Sequence, residues 1–245
     1  MLLRLLHRIY GSLAALMFAL VVFGLVCPLV ILGPTLAIRR WLGRRGVRLA
    51  LLCVGVPLRV SGQQHLPAGA AIAVANHASY VDGIVLTAAL PARFTFVVQD
   101  GAANWPYVGL VIKRMGVSFV NRRSPREGAA QTRALLRRVQ DGESLAIFAE
   151  GTFVSDEGLL PFKNGAFLLA ARAGVPVVPV GIRGTRRFYG GHRRLPRWSS
   201  LQVEIGPAIP PSHHPGEMRD QARAAVLALC GEHDAAHSDP HPESE

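Results

Sequence analysis

The chain predicts an α/β fold: a mainly parallel central sheet flanked by helices, with an N-terminal membrane-embedded helical segment. Three observations carry this. Beyond residue 60, short β-branched runs alternate with helical stretches, the pattern of parallel strands joined through helices. From Ser12 to Ile38 no residue is charged, and about 20 apolar residues suffice to cross a bilayer core. Half of the 245 residues are hydrophobic and only 18% are charged, which excludes a disordered chain.

The elements follow in order. The apolar run from Ser12 is too long for a secretory signal peptide and leads without a good cleavage site into Arg39, Arg40, Arg44, Arg45 and Arg48. It is expected to stay in the membrane. Pro28 and the pair Gly33-Pro34 interrupt its helical pattern, and Arg4 and Arg8 make the first flank basic as well. Two basic flanks leave open a broken hairpin or one tilted span; either puts the body on the cytoplasmic face of the cell membrane. Leu49 to Leu58 is too short to cross and is expected along the interface or over the sheet.

Ala71–Ala75 reads as a buried strand and Gly83–Leu90 as a helix stopped by Pro91. Strands follow at Phe94–Val98, Val117–Val120, Ser144–Phe148 and Val175–Gly181, with Gln202–Ile205 as an edge strand. Between them, Trp105–Met115, Arg126–Val139, Asn164–Arg172 and Glu217–Leu229 read as helices. The expected division is an anchoring segment over 1–58, a catalytic-sized domain over 59–231 and a disordered polar tail over 232–245.

Charge narrows the partners. The chain carries +11, with 25 Arg against 2 Lys, and its first carboxylate is Asp82. All five acids beyond Gly231 lie in the tail, so the body alone carries +16. Such a body attracts phosphates, anionic headgroups or an acidic carrier protein; with a membrane segment beside it, no nucleic-acid partner is needed. Cys27, Cys53 and Cys230 have no metal-ligand spacing and read as small buried hydrophobes.

The first buried strand runs into Asn76-His77-Ala78-Ser79-Tyr80-Val81-Asp82-Gly83. A tight turn brings a carboxylate five residues on against the imidazole, leaving the other ring nitrogen as a proton acceptor. Spacing alone equally allows a capping Asp beside a structural His. Three further segments follow: Gly116-Val117-Ser118-Phe119-Val120-Asn121-Arg122, Phe148-Ala149-Glu150-Gly151-Thr152-Phe153, and Val175-Pro176-Val177-Val178-Pro179-Val180. In this order, over Gly62 to Pro207, they resemble the four blocks of the glycerolipid acyltransferases, whose best-known members acylate 1-acylglycerol-3-phosphate.

The resemblance implies direct acyl transfer from acyl-CoA or an acyl-acyl carrier protein to a lysophospholipid hydroxyl, giving phosphatidic acid, without cofactor or metal. His77 would be the general base and Asp82 its orienting anion. Arg122, Glu150, Gly151 and Thr152 would serve the acceptor phosphate, with Glu150 positioning a cation or a hydroxyl. The chain departs from the family at Phe153, where Arg usually follows Gly-Thr, and at Gln99-Asp100-Gly101, where many relatives carry Lys. Lys163 is expected to restore a positive charge. Another acceptor (a lyso-aminolipid, another lysophospholipid or glycerol phosphate) and a non-catalytic lipid- or carrier-binding protein are the competing readings.

Other features carry less. His233, His237 and His241 are spaced by four but lie in a tail with Pro240 and Pro242. Ser79 sits near His77 without a Gly-x-Ser-x-Gly elbow.

Overall fold

The computed structural model describes residues 2–120, 125–152, 156–191 and 195–235. Its N-terminus is a long helical rod: α1 (Leu2–Ala19), a π-helical stretch Leu20–Val26, and α2 (Cys27–Leu32). Pro28 falls in the first turn of α2, directly after the π-helical stretch, so the rod continues through it. Gly33-Pro34 does break the rod. Thr35 then caps α3 (Leu36–Cys53), its hydroxyl accepting the Ile38 N–H at 3.3 Å.

The two helices form a hairpin. The Tyr10 hydroxyl donates to the Val54 carbonyl at 3.1 Å, tying the start of one arm to the end of the other. At the crossing, a Cβ on Gly46 would lie 2.4 Å from Val26, so only glycine allows this approach. Leu5, Ile9, Leu13, Leu16 and Leu20 stay exposed along the first arm. The span Arg4–Leu32 is long and apolar enough to cross a membrane, and only 17% of its most apolar window is buried in the protein.

The second arm belongs to the domain as much as to the hairpin. Val47, Leu51, Val54 and Val56 sit in the main hydrophobic core. Arg48 donates to the Ala88 carbonyl at 2.8 Å and Arg44 to those of Ala88 and Ala89 at 3.4 Å, where the helix beneath ends. Buried Arg40 donates to the Met115 carbonyl at 3.0 Å and to Glu143 at 3.4 Å. The stretch 49–58 thus covers the sheet with Leu51, Val54 and Val56 while leaving Leu49 and Leu52 outside. Cys53 is exposed, unlike buried Cys27 and Cys230, because it lies on the outer side of this last turn.

The domain follows: β1 (Leu58–Ser61), β2 (Ile72–Ala75), α4 (Asp82–Ala89), β3 (Phe94–Gln99), α5 (Val108–Arg114), β4 (Ser118–Val120) and α6 (Pro125–Gln140). It continues with β5 (Ser144–Phe148), α7 (Gly165–Ala173), β6 (Val177–Arg183), α8 (Thr185–Tyr189), β7 (Leu201–Ile205) and α9 (Pro215–Cys230). The sheet order is β1-β7-β6-β2-β5-β3-β4, parallel in every pairing except β6 with β7. Strand β2 is central and buried on both faces, which is why its sequence is uniformly apolar. One face packs on α3 and α4, the other on α6, α7 and α9.

Two expectations are corrected. Strand β7 is internal: β1 lies outside it, and its alternating buried and exposed residues mimic an edge. The tail does not begin loosely at 232. Glu232 pairs with Arg186 at 3.0 Å and Asp234 with Arg223 at 2.6 Å, while Leu159 donates to the His233 carbonyl at 2.8 Å. His237 and His241 lie outside the described residues.

Candidate active site

Parallel strands deliver their last residues to one end of a sheet, and here that end carries the site. His77 lies two residues beyond the end of β2, and Asp82 opens α4. Alternation along β2 puts the His77 ring on the α4 face, where it stacks on Phe148, the last residue of neighbouring β5. The ring centroids are 4.1 Å apart and the planes 14° from parallel. The stack fixes the plane of the imidazole.

Asp82 fixes its edge. One carboxylate oxygen, Oδ2, accepts from His77 Nδ1 at 2.8 Å, from the Ala78 N–H at 2.6 Å and from the Ser79 N–H at 2.7 Å. Asp82 is wholly buried, and among the described residues its other oxygen, Oδ1, has no hydrogen-bond partner. The two sequence readings merge here. The same oxygen closes the turn before α4 and holds the ring, with the proton assigned to Nδ1 and the lone pair to Nε2.

Glu150 holds the turn from behind. Its Oε1 accepts the His77 backbone N–H at 2.5 Å and its Oε2 the Leu160 N–H at 2.9 Å. It therefore binds backbone, not the cation or hydroxyl expected of it. Burial pushes its carboxyl from 4.5 up to about 7, against the pull of the two N–H groups and of Arg186. Gly151 turns the chain at φ 78°, in the left-handed region that favours glycine. Thr152 is exposed beside it.

Asn76 was not singled out by the sequence, yet it clasps two strands. Its amide donates to the Ile182 carbonyl at 3.0 Å and accepts the Ile182 N–H at 2.7 Å, tying the end of β2 to β6. A polar residue directly after a fully apolar strand was the available signal. Ser79 is buried and its hydroxyl donates to the Tyr189 carbonyl, so it is engaged structurally.

Lys163 is exposed and lines a cavity of about 660 Å³. The cavity lies between α6, α7 and the sheet, on the face opposite the His77 ring; Phe148 borders both. Its wall is apolar (Val97, Val120, Leu135, Ile147 and Leu169 among others) with Arg133, Arg172 and Lys163 added. Lys163 is thus not brought onto the His77 face. Arg122 and Phe153 lie outside the described residues.

Several known proteins are similar to this chain. The profile of the Acyltransferase family matches residues 57–183. A lyso-ornithine lipid O-acyltransferase of Rhodobacter capsulatus is 35% identical over 201 residues, covering 75% of this chain and 70% of that protein. A 1-acyl-sn-glycerol-3-phosphate acyltransferase of Borreliella burgdorferi is 27% identical over 167 residues, 68% of this chain and 67% of that one. Another so named, from Neisseria meningitidis, is 34% identical over 139 residues, 57% of this chain and 52% of that one. Among solved structures, the 1-acyl-sn-glycerophosphate acyltransferase PlsC of Thermotoga maritima superposes with a TM-score of 0.73. It is 22% identical and covers 91% of this chain and 97% of that one, a likeness of fold.

Proposed function

The chain belongs to the acyltransferase family, and from that premise we propose that it acylates 1-acylglycerol-3-phosphate to phosphatidic acid, with a fatty acyl thioester as donor. The observation that carries the reading is the His77–Asp82 pair, fixed by stacking, by two backbone N–H groups and by burial of the carboxylate. His77 Nε2 takes the proton of the acceptor hydroxyl as its oxygen attacks the thioester carbonyl. Asp82 stabilises the imidazolium that forms. The tetrahedral intermediate collapses, the carbon–sulfur bond breaks, and the imidazolium returns its proton to the departing thiolate. No protein nucleophile intervenes. The basic body suits the phosphates of coenzyme A and the acidic surface of an acyl carrier protein alike.

Arg122 and Thr152 supply the acceptor phosphate's contacts in this reading, while Glu150 and Gly151 hold the turn that presents His77. In this reading the apolar hairpin associates the enzyme with a membrane and the body lies on its cytoplasmic side, a topology that the Arg-rich second arm favours. Protease added from that side alone should reach the C-terminal tail; cleavage from the outer side alone would overturn the topology.

A second reading has its own support. The lyso-ornithine lipid relative shares 35% identity over three quarters of the chain, and Phe153 offers no charge where the family resemblance implies Arg. An acceptor without a phosphomonoester fits both facts. Acyl transfer by purified protein to lysophosphatidic acid and to lyso-ornithine lipid, with both carrier types, decides. Turnover of lysophosphatidic acid upholds the first reading. Turnover of the lyso-aminolipid alone replaces the acceptor and leaves the chemistry standing. In that case Phe153→Arg should shift preference toward lysophosphatidic acid.

A further inference from the structure

Exposed large apolar side chains are unevenly placed in this protein. Outside the hairpin, the described residues expose six of them: Tyr80, Trp105, Tyr107, Leu110, Leu168 and Trp198. Three fall within the six residues that lead into and begin α5. Trp105 is 59% exposed, Leu110 49% and Tyr107 41%, a local cluster of exposed apolar side chains.

This patch is continuous with the hairpin. The Tyr107 hydroxyl donates to the Phe23 carbonyl at 2.8 Å, and the two rings lie 6.4 Å apart. Val111 is buried among Val26, Cys27 and Val30, so α5 rides along the far half of the first arm. Arg114 fastens the other end, donating to the Ile31 carbonyl at 2.7 Å and 3.1 Å. Tyr107 has φ 62°, and among the described residues no other non-glycine lies in the left-handed region. Such a backbone persists only where its surroundings hold it.

We propose that Trp105, Tyr107 and Leu110 form a second membrane-inserting element, which rests on the bilayer beside the hairpin. The occupant follows from continuity with the arm that associates with membrane and from residue type. Trp and Tyr favour the headgroup level, Leu the acyl layer just below, and Lys113 and Arg114, both exposed on the last turn of α5, meet anionic headgroups. Hairpin and α5 then set the body's orientation as two supports rather than one. Because β3 leads through Asp100–Asn104 into α5 and pairs with β5, this support lies at the sheet end that carries His77. A lipid acceptor meets that end without leaving the bilayer. This last consequence rests on the proposed function; the insertion itself does not.

The test uses the full chain carrying Trp41→Phe and Trp198→Phe, which leaves Trp105 as the only tryptophan. It is reconstituted into phosphatidylethanolamine–phosphatidylglycerol vesicles, plain or brominated on the acyl chains. Trp105 emission should be lost in brominated vesicles and resist aqueous iodide. Equal emission in both vesicle types, with quenching by iodide, overturns the proposal. Unaltered protein gives a second measurement: a carbene reagent confined to the acyl layer should label the peptide containing 105–110. Label on the hairpin but none on that peptide also overturns the proposal, as does protection of 105–110 only on contact with a carrier protein or a second copy. Neither measurement reads acyl transfer, so a failure here and a failure of the proposed reaction are distinguishable.

Discussion

Replacing Glu150 by Gln keeps the shape of the side chain and removes its ionisation. In the fold this carboxyl sits at about 7, against 4.5 in the open chain, chiefly through burial. A raised folded value means that the native protein holds the proton more tightly than the unfolded one. The stability this adds is fully present below about pH 4.5 and is lost as the pH rises through about 7. A gap of about 2.5 units corresponds to about 3.4 kcal/mol. About 2 kcal/mol of that falls between about pH 5.5 and pH 8. Glu150→Gln carries a cost of its own, since its oxygen accepts one of the two N–H groups while its NH2 opposes the other. That cost, about 1–3 kcal/mol, does not change with pH. The slope is therefore diagnostic where the offset is not. Thermal midpoints in detergent should show the wild type losing roughly 4–8 °C relative to Glu150→Gln across that interval, at roughly 2–4 °C per kcal/mol. Parallel profiles for the two proteins would refute the argument that Glu150 is a buried, titrating clasp.

The remaining predictions concern the same turn. His77→Ala should fold and insert yet lose on the order of a hundred- to ten-thousand-fold in turnover, measured by acyl transfer at saturating donor. Asp82→Asn should keep the turn, since its oxygen can replace Oδ2 and its NH2 fits the site of the unpartnered Oδ1, but lose the anion. Turnover should collapse with little change in melting, whereas Asp82→Ala, which strands three donors, should lose both. Ser79→Ala should stay active, and mass spectrometry after incubation with donor alone should find no acyl adduct; an adduct on Ser79 or a cysteine would mean a two-step mechanism. Asn76→Ala removes both hydrogen bonds to Ile182 and should destabilise the protein by about 1–3 kcal/mol for each group left unpaired, read by denaturant titration.

Much of this was legible in the sequence because the elements near the site are strongly patterned. Strand β2 is uniformly apolar and stops at a polar run, and the five-residue step from His77 to Asp82 is local enough for one turn to close. What stayed hidden depends on partners far along the chain. Nothing in Leu58–Ser61 announces that it pairs outside Leu201–Ile205, 143 residues later, and turns an apparent edge into an interior strand. The roles of Asn76 and Glu150 are set by Ile182 and Leu160, whose backbone groups carry no sequence signal. The cavity residue Lys163 was read as part of the phosphate site because it precedes a helix, but its place in the loop before α7 says nothing about which face of the sheet it serves. Pro28 misled for a subtler reason: a π-helical stretch absorbed it.

The second arm of the hairpin has a thermodynamic consequence. Val47, Leu51, Val54 and Val56 belong to the same core as Val85 and Leu86, while Trp41, Leu49 and Leu52 on the same stretch face outward. With the membrane association proposed above, lipid acts on this protein as a ligand acts on a receptor, binding the native state and shifting its unfolding equilibrium by mass action. Its melting temperature is then a joint property of chain and bilayer, and depends on lipid composition. It also follows that residues 1–48 are not a detachable leash. Cutting them away uncovers the α4 face of the sheet, leaving a body that has lost part of its own interior.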